Sequence, residues 1–488
     1  MKTIFGKITL LLMFFLLLFS TALSASYTNE DIYKIKPLAK NVKMTDDYIR
    51  EVAQASYLWA WPMVNMHNRQ EILKELKEPS YMGGIAPVAP INQLSMLTDY
   101  IDASERLVAA PNQDVVYGFG LFSLEKEPVI VQIPDFKGRY WLYQIGDQRT
   151  DELSEIGSMY KSKPGFYLLA GPDWKGTVPD GISGVLRIDT NLGFITPRVF
   201  VTDDPKDKAA IQPIINQILM YPLSQYDGKM KIKDWKNTTP KVPGAAPSGS
   251  GETQWVVPEK FVDELPLILK EVPPMEGEEN LYAGIKQVLD YVNKNPQAKK
   301  IFTDAVIKTD KEILAPLFEP HNYGTELSYN WHTFKNGAQF KKDYMTRAAV
   351  AKSNIFANKY KETAYFSLEF DSNKVLLNGS NKYTLTFNKG QLPPVEGFWS
   401  LTAYDQYHFF IQNEMSRYSI GTKTKNLKYN KDGSLTLYIQ SEKPSADRVS
   451  NWLPVKDRER FVLFIRSYWP KNEILNGSWT PPAIQTTK

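Results

Sequence analysis

The chain contains no cysteine. That excludes disulfides, thiolate metal sites, a cysteine nucleophile and an acylated-cysteine anchor. Histidine is scarce: His67, His321, His332 and His408 are all there are in 488 residues. None pairs with another at i, i+4 around a glutamate, so the zincin signature is absent. A His–carboxylate site assembled from distant segments stays open, but no metal is expected. The sequence also lacks a P-loop, a dinucleotide glycine fingerprint and a Gly-x-Ser-x-Gly elbow between strand and helix; Gly249-Ser250-Gly251 falls in the Pro-, Gly- and Ser-rich stretch 240–251, which reads as an exposed loop. No cofactor is implied. A concentrated basic face is missing too. The densest basic stretch, Lys423, Lys425 and Lys428, is interrupted by other residues and reads as a solvated loop, which argues against nucleic-acid binding.

What is present is ordinary in bulk and unusual in its aromatics. Hydrophobic residues make up 43% and charged residues 23%, as in a soluble globular protein, and the length calls for about three domains. Aromatics reach 13% and crowd into strand-like segments, where core packing is the favoured role over ligand platforms. The N-terminus reads as a secretory signal over residues 1–25: Lys2 and Lys7, the apolar run Ile8 to Phe19, then Ala22-Leu23-Ser24 as a cleavage site. The expected location is secreted or periplasmic, with no transmembrane segment once the signal is removed. The formal charge is +4, and loss of Lys2 and Lys7 takes two from it.

Two stretches share one spacing. Gln132-Ile133-Pro134, Gly138, Tyr140 and Leu142 match Gln391-Leu392-Pro393, Gly397, Trp399 and Leu401, and each copy runs on to an acid, Asp147 or Asp405. The pattern predicts a strand, a Pro-Gly turn and an aromatic strand, used twice about 260 residues apart. Between and around them the chain sorts itself. Residues 26–84 carry a helix capped by Thr45, which Pro62 should kink. Residues 85–204 read as a first β-sandwich and 205–363 as a helical region, with helical periodicity over Lys208–Met220, Glu259–Lys270, Glu278–Lys294 and Lys341–Asn358. Residues 364–488 read as a second sandwich, with a turn signal at Asn430-Lys431-Asp432-Gly433. The fold class is mainly β with a helical region.

Several motifs are now in view: Pro111-Asn112-Gln113-Asp114-Val115-Val116-Tyr117, Gly138-Arg139-Tyr140-Trp141, Gly171-Pro172-Asp173-Trp174, Phe398-Trp399-Ser400-Leu401-Thr402, Ser450-Asn451-Trp452-Leu453-Pro454 and Tyr468-Trp469-Pro470. Together they resemble the two-domain family that joins DUF 1254 to DUF 1214, over about 85–203 and 364–482. The resemblance implies an immunoglobulin-like sandwich, a helical region and a jelly-roll-like sandwich, and it implies no activity. Gln113 stands where the family often has Asn, and Val115-Val116 where it often has Thr-Leu, so hydroxyl chemistry after Asp114 has less support.

Candidate chemistry is carried by few residues. Asn112 and Asp114 lie two apart, so on extended chain both address one side; an Asx-turn is the blander alternative. Asp114, Asp147 and Asp405 are the candidate catalytic acids, since two carboxylates in one cleft are what glycoside hydrolysis needs; turn caps or salt bridges to Arg149 or Arg139 are the alternative. Asn112, Tyr117, Arg139, Trp399, Tyr404, Asn451 and Arg466 are the candidate ligand contacts, with Arg466 in a strand beside aromatics suited to a carboxylate or a sugar ring. Two functions follow. One is an exported protein binding a small, carbohydrate-like ligand between the sandwiches, with homo-oligomerisation open. The other is a secreted carboxylate-dependent hydrolase.

Overall fold

The computed structural model describes residues 39, 41–238 and 253–487. The secretory-signal segment and the loop 240–251 lie outside the described residues. The chain begins with helix α1, Asp46–Leu73, capped by Thr45, whose hydroxyl accepts from Tyr48 N at 3.2 Å. Pro62 was expected to kink or interrupt it, yet α1 runs through in one piece. A proline inside a helix loses one backbone hydrogen bond and crowds the preceding turn. Here burial of Trp59, Trp61, Met63 and Val64 around it offsets that loss.

The first sandwich follows. A small hairpin, β1 (Ser80–Met82) and β2 (Ala86–Val88), leads to β3 (Ser95–Met96), β4 (Val115–Ser123), β5 (Val129–Ile133), β6 (Trp141–Asp147), β7 (Gly165–Ala170), β8 (Ile182–Arg187), β9 (Leu192–Phe200) and β10 (Leu219–Pro222). One sheet has the order β3-β4-β9-β6 and the other β10-β5-β7-β8. The helical pattern over Lys208–Met220 is only half realised. Short helices Pro205–Ala210 and Gln212–Ile215 end before β10, which pairs with β5 as an edge strand. Sheet pairing outweighs local periodicity there, and the sandwich runs on to Pro222.

Helices α2 (Phe261–Glu271), α3 (Glu279–Val292), α4 (Pro296–Thr309) and α5 (Tyr344–Asn354) close on α1. Their apolar faces form one cluster with Tyr57, Trp59 and Met63 of α1. Two polar ties fix the register: Tyr57 OH donates to Asp310 at 2.7 Å and Trp59 Nε1 to Glu278 at 3.3 Å.

The second sandwich comprises β11 (Thr325–Glu326), β12 (Trp331–Thr333), β13 (Thr363–Leu368), β14 (Lys382–Phe387), β15 (Val395–Asp405), β16 (Ser419–Gly421), β17 (Leu435–Gln440), β18 (Trp452–Pro454), β19 (Phe461–Pro470) and β20 (Ile484–Thr487). A six-stranded sheet, β11-β12-β13-β19-β15-β16, faces a four-stranded one, β18-β17-β14-β20. The twin spacings do not give twin corners. In the first copy Gly138 makes the turn, at φ +80°, and hands the chain from one sheet to the other. In the second copy Gly397 sits inside β15 at a bulge, where an added Cβ would lie 2.7 Å from the Tyr468 carbonyl oxygen. The turn before it is made by Gly390, at φ +75°.

Alternation along β15 and β19 divides the molecule. Trp399, Leu401 and Ala403, with Leu463 and Ile465, enter the core of the second sandwich. Phe398, Ser400, Thr402 and Tyr404, with Phe464, Arg466 and Tyr468, face the other way, against the first sandwich. Phe398 is the hydrophobic link: its ring centroid lies 4.1 Å from Tyr468, 4.3 Å from Phe200 and 5.1 Å from Tyr140. Phe398→Ala should therefore destabilise the protein by about 3–5 kcal/mol in urea denaturation. Loss of coincidence between near- and far-ultraviolet transitions is expected as the sandwiches uncouple.

Candidate functional site

The segment Ala109–Asp114, between β3 and β4, crosses from the first sandwich onto the outer face of β15 and β19. Three of its carbonyls meet side chains from the second sandwich. Ala110 O accepts from Arg466 Nη2 at 2.9 Å, Pro111 O from the Tyr404 hydroxyl and Gln113 O from Lys423 Nζ. Asp114 is 1% exposed; Oδ2 accepts from Ser400 Oγ at 2.6 Å and Tyr468 OH at 3.2 Å, and Oδ1 from Ser419 Oγ at 3.4 Å. Asn112 Oδ1 accepts from Asp114 N at 3.2 Å, which is the Asx-turn alternative.

On the inner side of this segment lies a cavity of about 100 Å³, mostly apolar. All three layers contribute to it: α1 through Arg69 and Leu73, the first sandwich through Tyr117 and Arg198, and the second through Tyr365 and Arg466. Arg198 on β9 is 7% exposed, with Nη2 donating to Gln144 Oε1 at 2.8 Å and Phe356 O at 2.7 Å. Arg466 on β19 is 2% exposed and lies 5.4 Å over the Tyr404 ring. Burial works against the Arg466 cation, but Tyr404, Tyr468 and Asp114 around it hold its pKa above the ordinary value. Burial also pushes the Tyr117 hydroxyl well up and the Tyr404 hydroxyl up to about 12. Both phenols stay neutral.

Of the ligand candidates read from the sequence, Asn112, Tyr117 and Arg466 line this cavity, and Tyr404 sits directly beneath Arg466. The others go elsewhere. Trp399 is core, 5.4 Å from Phe387. Arg139 is paired with Asp207 at 2.5 Å. Asn451 braces a turn, donating to Lys428 O at 2.7 Å and Thr436 O at 2.9 Å. Arg198, Thr196 and Asn354 were missed. For Arg198 a signal existed: a lone cation inside the apolar run Leu192–Phe200.

The three acids do not converge. Asp114 precedes the β4 residue opposite Phe200, and Asp147 lies opposite Gly193. That puts them at opposite ends of β9, roughly 25 Å apart along the strand. Asp405 is five residues beyond Ser400, roughly 17 Å along β15. Asp147 accepts from Arg149 N at 2.9 Å and Asp151 N at 3.1 Å, and pairs with Arg149 Nη1 at 3.1 Å. Asp405 accepts from Tyr407 N at 2.9 Å and Phe409 N at 3.0 Å. Both are turn-bracing acids.

Two other features bear on function. An open cleft of about 750 Å³ lies on the outer side of Gln113, between the sandwiches. Its charges are paired, Lys208 with Asp99 at 2.7 Å within the first sandwich and Lys425 with Asp204 at 2.8 Å across the seam. Its Tyr100 ring carries Lys208 and Lys423 ammonium groups at 4.5 and 4.3 Å. Glu319, His321 and Glu369 form the other feature, with donor atoms within 4.8 Å of one another, the donor set of a divalent metal. Arg460 already bridges both acids, Nη2 lying 2.6 Å from Glu319 and 2.8 Å from Glu369. Burial, then the hydrogen bond and charge of Glu319, push Glu369 up to about 9, and burial lowers His321. A neutral carboxyl and a neutral imidazole thus flank one Glu319–Arg460 ion pair.

His408 sits at the end of the seam in the left-handed conformation, φ +60°, its carbonyl accepting from Ala110 N at 2.9 Å. Its ring is sealed between Phe318 at 4.2 Å and Phe464 at 5.3 Å, and burial lowers its pKa from 6.5 to about 4. A depressed folded-state pKa stabilises the fold above 6.5, and that share is lost as pH falls through about 4. His408→Asn keeps a residue tolerant of positive φ. It should be less stable than wild type at neutral pH, yet lose less stability between pH 6.5 and 4, as read by urea denaturation at both ends of that window.

The profile of the family described as "Protein of unknown function (DUF1254)" matches residues 91–222, which are the first sandwich. That of "Protein of unknown function (DUF1214)" matches 362–472, most of the second. No curated protein matches the chain. Among solved structures, the VPA0106 protein of Vibrio parahaemolyticus is 20% identical, with a TM-score of 0.61 over 90% of this chain and 100% of its own. It shares the fold. An uncharacterized Burkholderia cenocepacia protein is 10% identical, with a TM-score of 0.41 over 90% of this chain and 94% of its own. The chain thus carries a DUF1254 segment followed by a DUF1214 segment.

Proposed function

We propose that the protein binds a small molecule in the cavity where the two sandwiches and the helical layer meet. The observation that carries this reading is the cavity wall itself. It is apolar, it is built from three separate layers, and a few polar groups converge on it: Asn112, Tyr117, Arg198 and Arg466. That is the ordinary composition of a small-ligand site. The apolar wall favours a largely apolar ligand over the carbohydrate-like one expected from sequence. The proposal includes export, which rests on Lys2, Lys7, the run Ile8–Phe19 and Ala22-Leu23-Ser24. A glycan hydrolase finds no support in the acids, because Asp114, Asp147 and Asp405 are apart and each is occupied by its own donors.

Thermal-shift screening of the mature protein against small apolar and amphipathic molecules tests the proposal. Binding stabilises the folded state by mass action. A hit should raise the melting temperature of wild type and of Lys425→Ala, which alters only the outer cleft. It should leave Val108→Trp, which fills the cavity, unshifted. Hits that shift Val108→Trp as much as wild type would place the site elsewhere and overturn the reading.

A further inference from the structure

The cavity lining carries more positive than negative charge: Arg69, Arg198 and Arg466 against the one acid Glu105. Elsewhere, buried or nearly buried arginines meet an acid: Arg149 with Asp147 at 3.1 Å, Arg347 with Asp151 at 2.9 Å, and Arg460 with Glu319 at 2.6 Å. Arg198 and Arg466 do not. Among the described residues their hydrogen-bond acceptors are neutral: Gln144 Oε1 and Phe356 O for Arg198, Thr402 Oγ1 and Ala110 O for Arg466. The nearest anion to Arg466, Asp114, is held instead by three hydroxyls. Glu105 also reaches the cavity, but its Oε1 accepts from the backbone of Leu107 and Val108. An ion taken out of water without a counter-charge costs several kcal/mol, and both guanidinium groups face the same small space.

A second observation agrees with the first. A second set of lining atoms, Arg198 Nε, Asn354 Nδ2 and Thr196 Oγ1, is buried with no hydrogen-bond partner. Two are donors only, and the third can donate. The wall therefore has spare donors and spare positive charge, and a ligand that complements it brings acceptors and a negative charge. The rest of the wall, including Phe119 and Phe356, is apolar. A volume of about 100 Å³ admits a compact body such as a single ring or a short branched chain.

We infer that the ligand of this cavity is a small carboxylate with a compact apolar body, its carboxylate received by Arg198 and Arg466. This rests on the proposed function, and it names the ligand's chemical class. A guanidinium takes a carboxylate through two parallel hydrogen bonds, which fixes the head and leaves the body to the apolar wall.

The isosteric trio benzoate, benzamide and benzamidine isolates charge at constant shape, with binding read by calorimetry at fixed ionic strength. Benzoate should bind roughly tenfold or more tighter than benzamide, and benzamidine not at all, since a hydrogen bond to a charged group exceeds a neutral one by about that ratio. Arg198→Met should erase the preference for benzoate. Arg198→Lys, which keeps the charge without the fork, should retain part of it. Should Arg198→Met fail to fold, Thr196→Val serves in its place, with a several-fold loss of benzoate affinity expected. Benzamide or benzamidine binding as tightly as benzoate would overturn the carboxylate assignment while leaving a ligand cavity in place. Phenylphosphonate outcompeting benzoate would overturn it in favour of a phosphoryl head. No binding by any of the trio would overturn it as well, and the Val108→Trp comparison would then decide separately whether the cavity takes any ligand.

Discussion

The structure depends on how one loop is buried. Ala109–Asp114 lies between two sandwiches with its backbone out of reach of water, and a buried carbonyl left without a donor is rare in folded proteins. Three of its carbonyls are met by long side chains from a single face of the second sandwich: Arg466, Tyr404 and Lys423. Ala110 takes the left-handed conformation, φ +56°, where a non-glycine residue persists only if its surroundings over-determine it. Asp114 then fastens the end of the loop through Ser400, Ser419 and Tyr468. The sandwiches are joined by a polar lock, with Phe398 and Tyr468 as its apolar flank.

That lock also decides where charge is available. Asp114 makes no direct ion pair with Arg466: its oxygens accept from hydroxyls, and Arg466 donates instead to Ala110 O beside the cavity. The loop therefore separates two electrostatic settings. On its outer side Lys208, Lys425, Asp99 and Asp204 pair across an open cleft, where exposed ion pairs contribute little. On its inner side Arg198 and Arg466 line a mostly apolar cavity whose lining includes one acid, Glu105. The same segment that couples the domains thus shapes the cavity and leaves it cationic.

Much of the sheet framework was legible because alternation survives in the residues themselves. Val129–Ile133, Gly165–Ala170 and Leu435–Gln440, each an apolar-rich run, are strands over those residues. The same period of two sorts Trp399 into the core and Ser400 and Tyr404 onto the seam. Candidate residues near aromatics therefore part company: Arg466 lines the cavity, and Trp399 lies on the opposite face of its own sheet. Local patterns misled where tertiary pairing overrode them. The helical pattern Lys208–Met220 gives way at its end to the sheet edge Leu219–Pro222, and Pro62 sits in an unbroken helix because the helix is buried on most sides. Thr196 and Asn354 carry no sequence signal at all. Their importance comes from two distant elements meeting at one cavity, which no local period encodes.

The twin proline–glycine spacings show the limit of motif reasoning in physical terms. A glycine is required wherever a Cβ cannot fit or φ must be positive, and the two requirements are unrelated. Gly138 answers the second: its φ is +80°, and a Cβ added there would meet nothing within 4 Å. Gly397 answers the first, since a Cβ there meets the Tyr468 carbonyl across the β15–β19 bulge. Close approach at Gly397 brings Phe398 against Tyr468, and Tyr468 in turn reaches Asp114. One residue in the second copy, chosen for lack of a side chain, thereby helps position the acid on which the loop, the seam and the cavity wall all rest. Equal spacing in the sequence identified two glycines of consequence and left their reasons to be read from the packing around each.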